Sequence, residues 1–306
     1  MKTVIFAGGL GSRLQEETIE RPKPMVEIGG RPILWHIMKL YASYGFQEFI
    51  LALGYKQEVI KDYFLRLHDT VNDFSIDLAT GLRTFSTDRS PSWLVNLIDT
   101  GLHTQTGGRL LRLKRFLSDD TFMVSYGDGL SDVDLESLLN FHHSHGRIAT
   151  VTAVRPPSRF GGLDIIDGKV VRFREKPQIG EGWINGGFFV FNPAIFEYLS
   201  DDSMPLERSP LEKLSEDSQL MAYEHHGFFQ PMDTVRERDI LQKLWNSGHP
   251  PWVRSEEVCN VGNQVPIRDK IEISLSPRQP TGNISGTEQE YNPDCSEPHE
   301  SGGIIE

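Results

Sequence analysis

The chain is 306 residues long, 38% hydrophobic and 24% charged, with a formal net charge of −12. This length suits one large domain or two small ones with a full core, and the acidic balance excludes nucleic acid or an anionic membrane as the main partner. No apolar run approaches the roughly 20 residues of a membrane span, and a strand begins by residue 4 with no room for a signal peptide, so a cytoplasmic location is expected.

Val4 to Phe6 reads as a short buried strand running into a loop with Gly8, Gly9 and Gly11. Pro32 to Tyr44 has helical spacing, with Ile33, Ile37, Leu40, Tyr41 and Tyr44 on one face, Pro at its start and Gly45 after its end. A strand over Phe49–Leu53, a helix over Glu58–Leu67, a strand ending near Asp99 and a helix over Arg109–Leu117 follow. Thr121–Tyr126 is a strand ending in Gly127-Asp128-Gly129, Leu135–His143 a helix, and Ile148–Val154 a β-branched strand. This order predicts an α/β fold: βαβ units and a Rossmann-like, mostly parallel sheet with helices on both faces.

From about residue 160 the pattern turns antiparallel. Leu163–Ile166, the Asp167-Gly168 turn and Lys169–Arg174 predict a hairpin. Ile184–Phe191 is a strand, Pro193–Leu199 a short helix and Thr234–Trp245 a final helix. This part is expected to extend the sheet and wall one side of a cleft. The pattern dissolves after Trp252. Residues 1–257 form one expected domain and 258–306 a disordered tail, because the tail sets three basic residues against eight acidic ones and is rich in Pro, Gly, Asn and Ser. Only Val265–Leu275 in it could form a strand. Both cysteines, Cys259 and Cys295, lie there, which rules out a disulfide framework or a Cys-based zinc site in the first 258 residues.

The glycine loop after the first strand lets a ligand approach bare backbone, and Arg13 and Lys23 add fixed positive charge nearby. A strand, such a loop and two cations suit a nucleotide triphosphate. Gly9-Leu-Gly11 starts a dinucleotide fingerprint, but Leu14 stands at its third small position, and no P-loop string occurs. An oxidoreductase and an ordinary NTPase are thus disfavoured. Asp128, at the end of a central strand, reads either as a metal ligand or as a turn residue bonding its own backbone. Asp233, just before the last helix, reads as a ligand or as its N-cap. Thr106-Gly-Gly-Arg109 could receive a base edge or a phosphate, or be a plain helix start. Glu175-Lys176-Pro177 reads as solvated. Asn185-Gly186-Gly187 and Phe160-Gly161 could lie against a hexose or mark bulges. His142, His143 and His145 read as a solvated helix end. Ser12 and Ser125 lack a G-x-S-x-G elbow, so acyl transfer has no support.

The Gly-Gly-x-Gly-Ser-Arg-Leu string at residues 8–14, followed by Pro22-Lys-Pro-Met25, resembles the signature of the sugar-1-phosphate nucleotidyltransferases. The wording from Glu16 to Lys39, and Gly227-Phe-Phe-Gln-Pro-Met-Asp-Thr234, is similar to the branch that joins CTP to glucose 1-phosphate. Relatives using dTTP or UTP carry a longer segment before the Lys-Pro block. The resemblance implies the nucleotide-diphospho-sugar transferase fold, Mg²⁺ on Asp128 and Asp233, and a homo-oligomer. It implies a nucleotide site of Phe6, Ala7, Gly8, Gly9, Leu10, Gly11, Ser12, Arg13, Lys23, Thr104, Arg109 and Asp128. It also places Lys176 on the sugar phosphate and Glu175 on sugar hydroxyls, with Gly161, Asn185 and Gly186 beside them. Catalysis would fall to Arg13, Lys23, Asp128 and Lys176. The product implied is CDP-glucose, a precursor for surface polysaccharide. The rivals are a sister enzyme using dTTP or UTP, and a non-catalytic sugar-nucleotide sensor. A sensor would be expected to lack one of Arg13, Lys23, Asp128, Lys176 or Asp233, and all five are present. The resemblance ends near Trp252.

Overall fold

The computed structural model describes residues 1–11, 14–156, 162–166, 169–174 and 182–254, with the backbone alone for 15–16, 162–166 and 170–174. In chain order the strands are β1 (Lys2–Ala7), β2 (Glu27–Ile28), β3 (Arg31–Pro32), β4 (Glu48–Leu53), β5 (Phe74–Ile76), β6 (Arg83–Phe85), β7 (Leu94–Asp99), β8 (Phe122–Tyr126), β9 (Gly129–Ser131), β10 (Ala149–Val154), β11 (Gly162–Ile166), β12 (Lys169–Arg174), β13 (Ile184–Phe191), β14 (Leu220–His225) and β15 (Phe229–Pro231). The α-helices are α1 (Gln15–Thr18), α2 (Ile33–Ser43), α3 (Gln57–Val71), α4 (Thr106–Arg112), α5 (Lys114–Leu117), α6 (Leu135–His145), α7 (Ser209–Glu216) and α8 (Val235–Asn246). Among the described residues no helix is long and apolar enough to cross a membrane.

Seven strands form one sheet in the order β14-β10-β13-β8-β1-β4-β7. Only β13 runs against its neighbours in it; the other pairings are parallel. The central strands are apolar on both faces because helices cover both sides. Alternate residues sort into two cores: Val4, Phe6, Val124, Phe189 and Phe191 pack with Leu110 and Leu117, whereas Ile5, Ala7, Met123, Phe188 and Val190 pack with Ile37, Tyr41 and Leu138. The predicted hairpin is β11–β12, antiparallel. The expected domain boundary at 257 and the 258–306 tail lie outside the described residues.

Three features differ from the pattern-based expectation, and a fourth bears on an alternative it left open. The helix predicted from Arg109 begins three residues earlier and breaks after Arg112. Gly107 and Gly108 start it because a Cβ at either would meet the backbone of Met204 or Asp202 within 2.7 Å; close packing overrides their poor helix propensity. Helix α7 and the β5–β6 hairpin were not among the predicted elements. The glycines of Asn185-Gly186-Gly187 sit at a register shift between β10 and β13, and a Cβ on Gly186 would meet Val154 at 2.6 Å. The bulge thus explains Gly186. Finally, His142 is buried and its Nδ1 lies 2.8 Å from Thr150 Oγ1. It is a core histidine, while His143 is exposed.

His36 is buried beneath Trp252 and Trp245. Its Nε2 lies 2.8 Å from the Ile28 carbonyl and its Nδ1 3.3 Å from Trp252 Nε1, so the neutral ring donates to one and accepts from the other. Burial pushes its pKa from 6.5 down to about 4, against the bond to Ile28. As pH falls, the unfolded chain therefore binds the proton first. The neutral ring stabilises the fold fully above about pH 6.5, and this contribution is lost between about 6.5 and 4. Denaturant unfolding at pH 7 and pH 5 should show a loss of on the order of 2 kcal/mol that His36→Gln lacks. Equal pH slopes in the two proteins would contradict this assignment.

Candidate active site

Parallel strands β1, β4 and β8 end side by side, with Phe6 opposite Tyr126 and Ala7 opposite Leu53. Their carboxyl ends open onto a cavity of about 460 Å³, the place where open α/β sheets bind ligands. Loop 7–11, Lys23, the 102–109 segment, Tyr126 to Asp128 and Asp233 line it. The structure thus brings together Phe6, Ala7, Gly8, Gly9, Leu10, Gly11, Lys23, Thr104, Arg109, Asp128 and Asp233. Asn185 is not in this lining and reaches it through Tyr126, which accepts a hydrogen bond from Asn185 Nδ2 at 3.2 Å. Ser12, Arg13, Gly161, Glu175 and Lys176 lie outside the described residues.

Lys23 opens a short 3₁₀ turn whose Pro24 and Met25 are buried, which fixes the start of its side chain. Its ammonium donates to Asp128 Oδ2 and Asp233 Oδ1, each at 2.6 Å. Burial works to lower its pKa, but the two carboxylates outweigh burial and hold it above the usual lysine value. Lys23 is therefore a permanent cation.

The two aspartates meet because β9 and β15 pair antiparallel, with Gly129 opposite Pro231, and because Met232 N–H donates to the Asp128 carbonyl at 2.8 Å. The alternative role for Asp233 as an N-cap falls instead to Thr234. Its side chain accepts from Glu237 N–H, and Glu237 Oε2 accepts from Thr234 N–H and Asp233 N–H at 3.0 and 2.8 Å. This capping box, worth about 1 kcal/mol, secures the helix start and leaves the Asp233 carboxylate aimed at Lys23. Two carboxylates on one shared cation form a hard oxygen donor set that matches a divalent ion completed by phosphate oxygens and water.

Arg109 is 4% exposed. Its guanidinium donates to the carbonyls of Leu53 (2.8 Å) and Gly8 (2.9 Å) and to Thr100 Oγ1 (2.7 Å). Burial, then Arg112, lowers its pKa despite Asp99, yet guanidinium remains charged in proteins. Arg109 thus holds the glycine loop against β4 while adding positive charge at the cleft floor. A Cβ on Gly8 would lie 2.2 Å from its Nη1, whereas a Cβ on Gly9 has nothing within 4 Å. Gly8 is required by packing, whereas the space beside Gly9 is open. Tyr126 and Glu207 were missed by sequence reasoning. Tyr126 directly precedes the Gly-Asp-Gly turn, which is a usable signal, but Glu207 has none.

A nucleotidyl transferase family model matches residues 2–234. The chain is 49% identical over 253 residues to a glucose-1-phosphate cytidylyltransferase of Salmonella typhimurium, covering 82% of this chain and 98% of that one. A probable glucose-1-phosphate cytidylyltransferase of Bacillus subtilis is 43% identical over the same length, covering 82% and 99%. Among solved structures, HddC from Yersinia pseudotuberculosis matches with a TM-score of 0.60 at 25% identity, covering 80% of this chain and 99% of that one.

The two adjacent glycines should respond differently to one methyl group. Gly8→Ala should destabilise the fold by about 1–3 kcal/mol through the clash with Arg109. Gly9→Ala should leave unfolding unchanged and weaken nucleoside triphosphate binding by calorimetry about tenfold, or about 1.4 kcal/mol. The reverse ranking in stability would remove the distinction.

Proposed function

The chain belongs to the nucleotidyl transferase family, and from that premise we propose that it transfers the cytidylyl group of CTP to α-D-glucose 1-phosphate, giving CDP-glucose and pyrophosphate. The reading is carried by 49% identity across 98% of a glucose-1-phosphate cytidylyltransferase. The convergence of Lys23, Asp128 and Asp233 on one cleft supports it. In this reading residues 1–257 are the catalytic domain, 258–306 a tail, and the enzyme a cytoplasmic homo-oligomer.

An oxygen of the sugar phosphate forms a bond to the α-phosphorus of CTP while the bond to the bridging β-phosphate oxygen breaks, and pyrophosphate leaves with that electron pair. The nucleophile needs no general base: a phosphate monoester has a second pKa of about 6 and is largely dianionic at neutral pH. The barrier is repulsion between polyanions and charge growing on the leaving group, so catalysis is positioning and charge neutralisation. Lys23 brings a protonated ammonium to the cleft, and Arg109 adds a buried cation at its floor. Arg13 on the triphosphate and Lys176 on the sugar phosphate enter by motif, as do Ser12 and Gly161 on the backbone side and Glu175 on sugar hydroxyls. Asp128 and Asp233 would hold Mg²⁺, since their paired oxygens suit a hard cation that takes few protein ligands. When bound, the ion supplies Lewis-acid charge to phosphate oxygens.

Pyrophosphate release with glucose 1-phosphate and Mg²⁺ should be fastest with CTP among CTP, UTP, dTTP, GTP and ATP. Faster turnover with another nucleotide would replace the cytidylyl assignment and keep the reaction class. Asp128→Asn should lower turnover on the order of a hundredfold and raise the Mg²⁺ concentration needed; near-normal rates at limiting Mg²⁺ would exclude the metal role.

A further inference from the structure

Lys23 stands between two acids that the fold holds together without its help. The antiparallel pairing of β9 with β15, and the bond from Met232 N–H to the Asp128 carbonyl, set the backbones of Asp128 and Asp233 side by side. One oxygen of each carboxylate lies 2.6 Å from the Lys23 ammonium, so the two oxygens are at most twice that distance apart. Like charges this close repel, and a cation between them offsets the repulsion. The lysine side chain is 12% exposed, against 33% for Asp128 and 24% for Asp233. The acids therefore face the cavity more openly than the cation that joins them.

A divalent ion that bridged these acids through the same oxygens would need the same place. Mg²⁺ binds oxygen at about 2.1 Å in an octahedral shell, which puts it between the two oxygens, where the ammonium stands. Two cations cannot share that point. The pair is also a small donor set: among the described residues, no three His, Cys, Asp or Glu side chains form a group that could hold a metal. An ion that arrives alone meets two ligands and a cation already seated. An ion that arrives on a triphosphate brings its own oxygens to complete the shell, and those phosphates offer the ammonium a new anionic partner.

We propose that Lys23 is a resident counter-ion that the divalent metal replaces: its ammonium occupies the Asp128–Asp233 pair, keeps a lone divalent ion out, and moves onto phosphate oxygens as the metal–nucleotide complex enters. The proposal rests on the metal role assigned above to the two acids. It deepens that role by making entry of the ion conditional on the nucleotide, and it gives Lys23 two anionic partners in succession.

The test uses the full chain and Mn²⁺, which shares the oxygen preference of Mg²⁺ and is counted by its paramagnetic resonance. Without nucleotide, Lys23→Met should bind Mn²⁺ about tenfold more tightly than the wild type, and its Tm should rise more steeply with Mn²⁺ concentration. Adding Asp128→Asn to Lys23→Met should abolish the gain. Equal Mn²⁺ affinities in the wild type and Lys23→Met would overturn the proposal. If Lys23→Met does not fold, Lys23→Gln carries the same comparison. In a crystal of the wild type grown with Mn²⁺ and CTP, the anomalous signal of manganese should lie on Asp128 and Asp233. Lys23 Nζ should then be outside the roughly 4 Å of an ion pair from at least one of them. Manganese on the pair with the ammonium still bridging both acids would overturn the exchange and leave the metal role intact. Manganese elsewhere would overturn both.

Discussion

The cleft depends on one buried cation. Arg109 reaches from α4 beneath the glycine loop and donates to carbonyls at the ends of β1 and β4. A guanidinium is costly to bury unless its N–H groups are met, and here strand-end carbonyls and Thr100 meet them. The same bonds hold the glycine loop at a fixed height above the sheet. They also explain the glycines at 8 and 54, where a Cβ would lie within 2.8 Å of guanidinium nitrogens. Because those partners are carbonyl dipoles and a hydroxyl, the positive charge of Arg109 is not cancelled locally, and it contributes to the field met by a polyanion entering the cleft.

A second arrangement lines the same cavity. Lys23 and two aspartates form a compact charged triad in which the ammonium bridges both carboxylates. The triad exists because secondary structure converges there: a 3₁₀ turn carries the lysine, and two very short paired strands carry the acids. Helix α8 meets its own capping need with Thr234 and Glu237. Structural and chemical duties are thus divided between adjacent residues, so that Asp233 serves the site and Thr234 the helix.

Much of the fold was legible from local pattern. The alternation of apolar strands with periodic helices identified the central parallel sheet, and Ile184 to Phe191 read correctly as a strand although two glycines interrupt it. The weak points have physical causes. The predicted helix began at Arg109, after Gly107 and Gly108, because the need of these glycines to abut the 202–204 backbone is a non-local contact. His142 read as solvated because its burial and its bond to Thr150 depend on helix α6 packing against β10, which the helix's own pattern does not show. Of the site, the loop, Lys23 and Asp128 stood out by residue type and spacing. The roles of Asp233 and Arg109 could not be separated from helix capping or helix start by sequence chemistry alone.

The sequence by itself determined the class of protein: a bare-backbone loop with cations after a buried strand, a carboxylate at a strand end, and a motif string shared with sugar-1-phosphate nucleotidyltransferases. These are local facts, set by glycine, by fixed charge and by period. Tertiary structure alone decided which groups meet. Lys23 and Asp233 lie 210 positions apart in the chain yet 2.6 Å apart in space, and Glu207 joins Tyr126 and Thr106 across gaps of 81 and 101 positions. Such contacts follow from sheet order and strand pairing, and no window of sequence short enough to show a period also contains both partners.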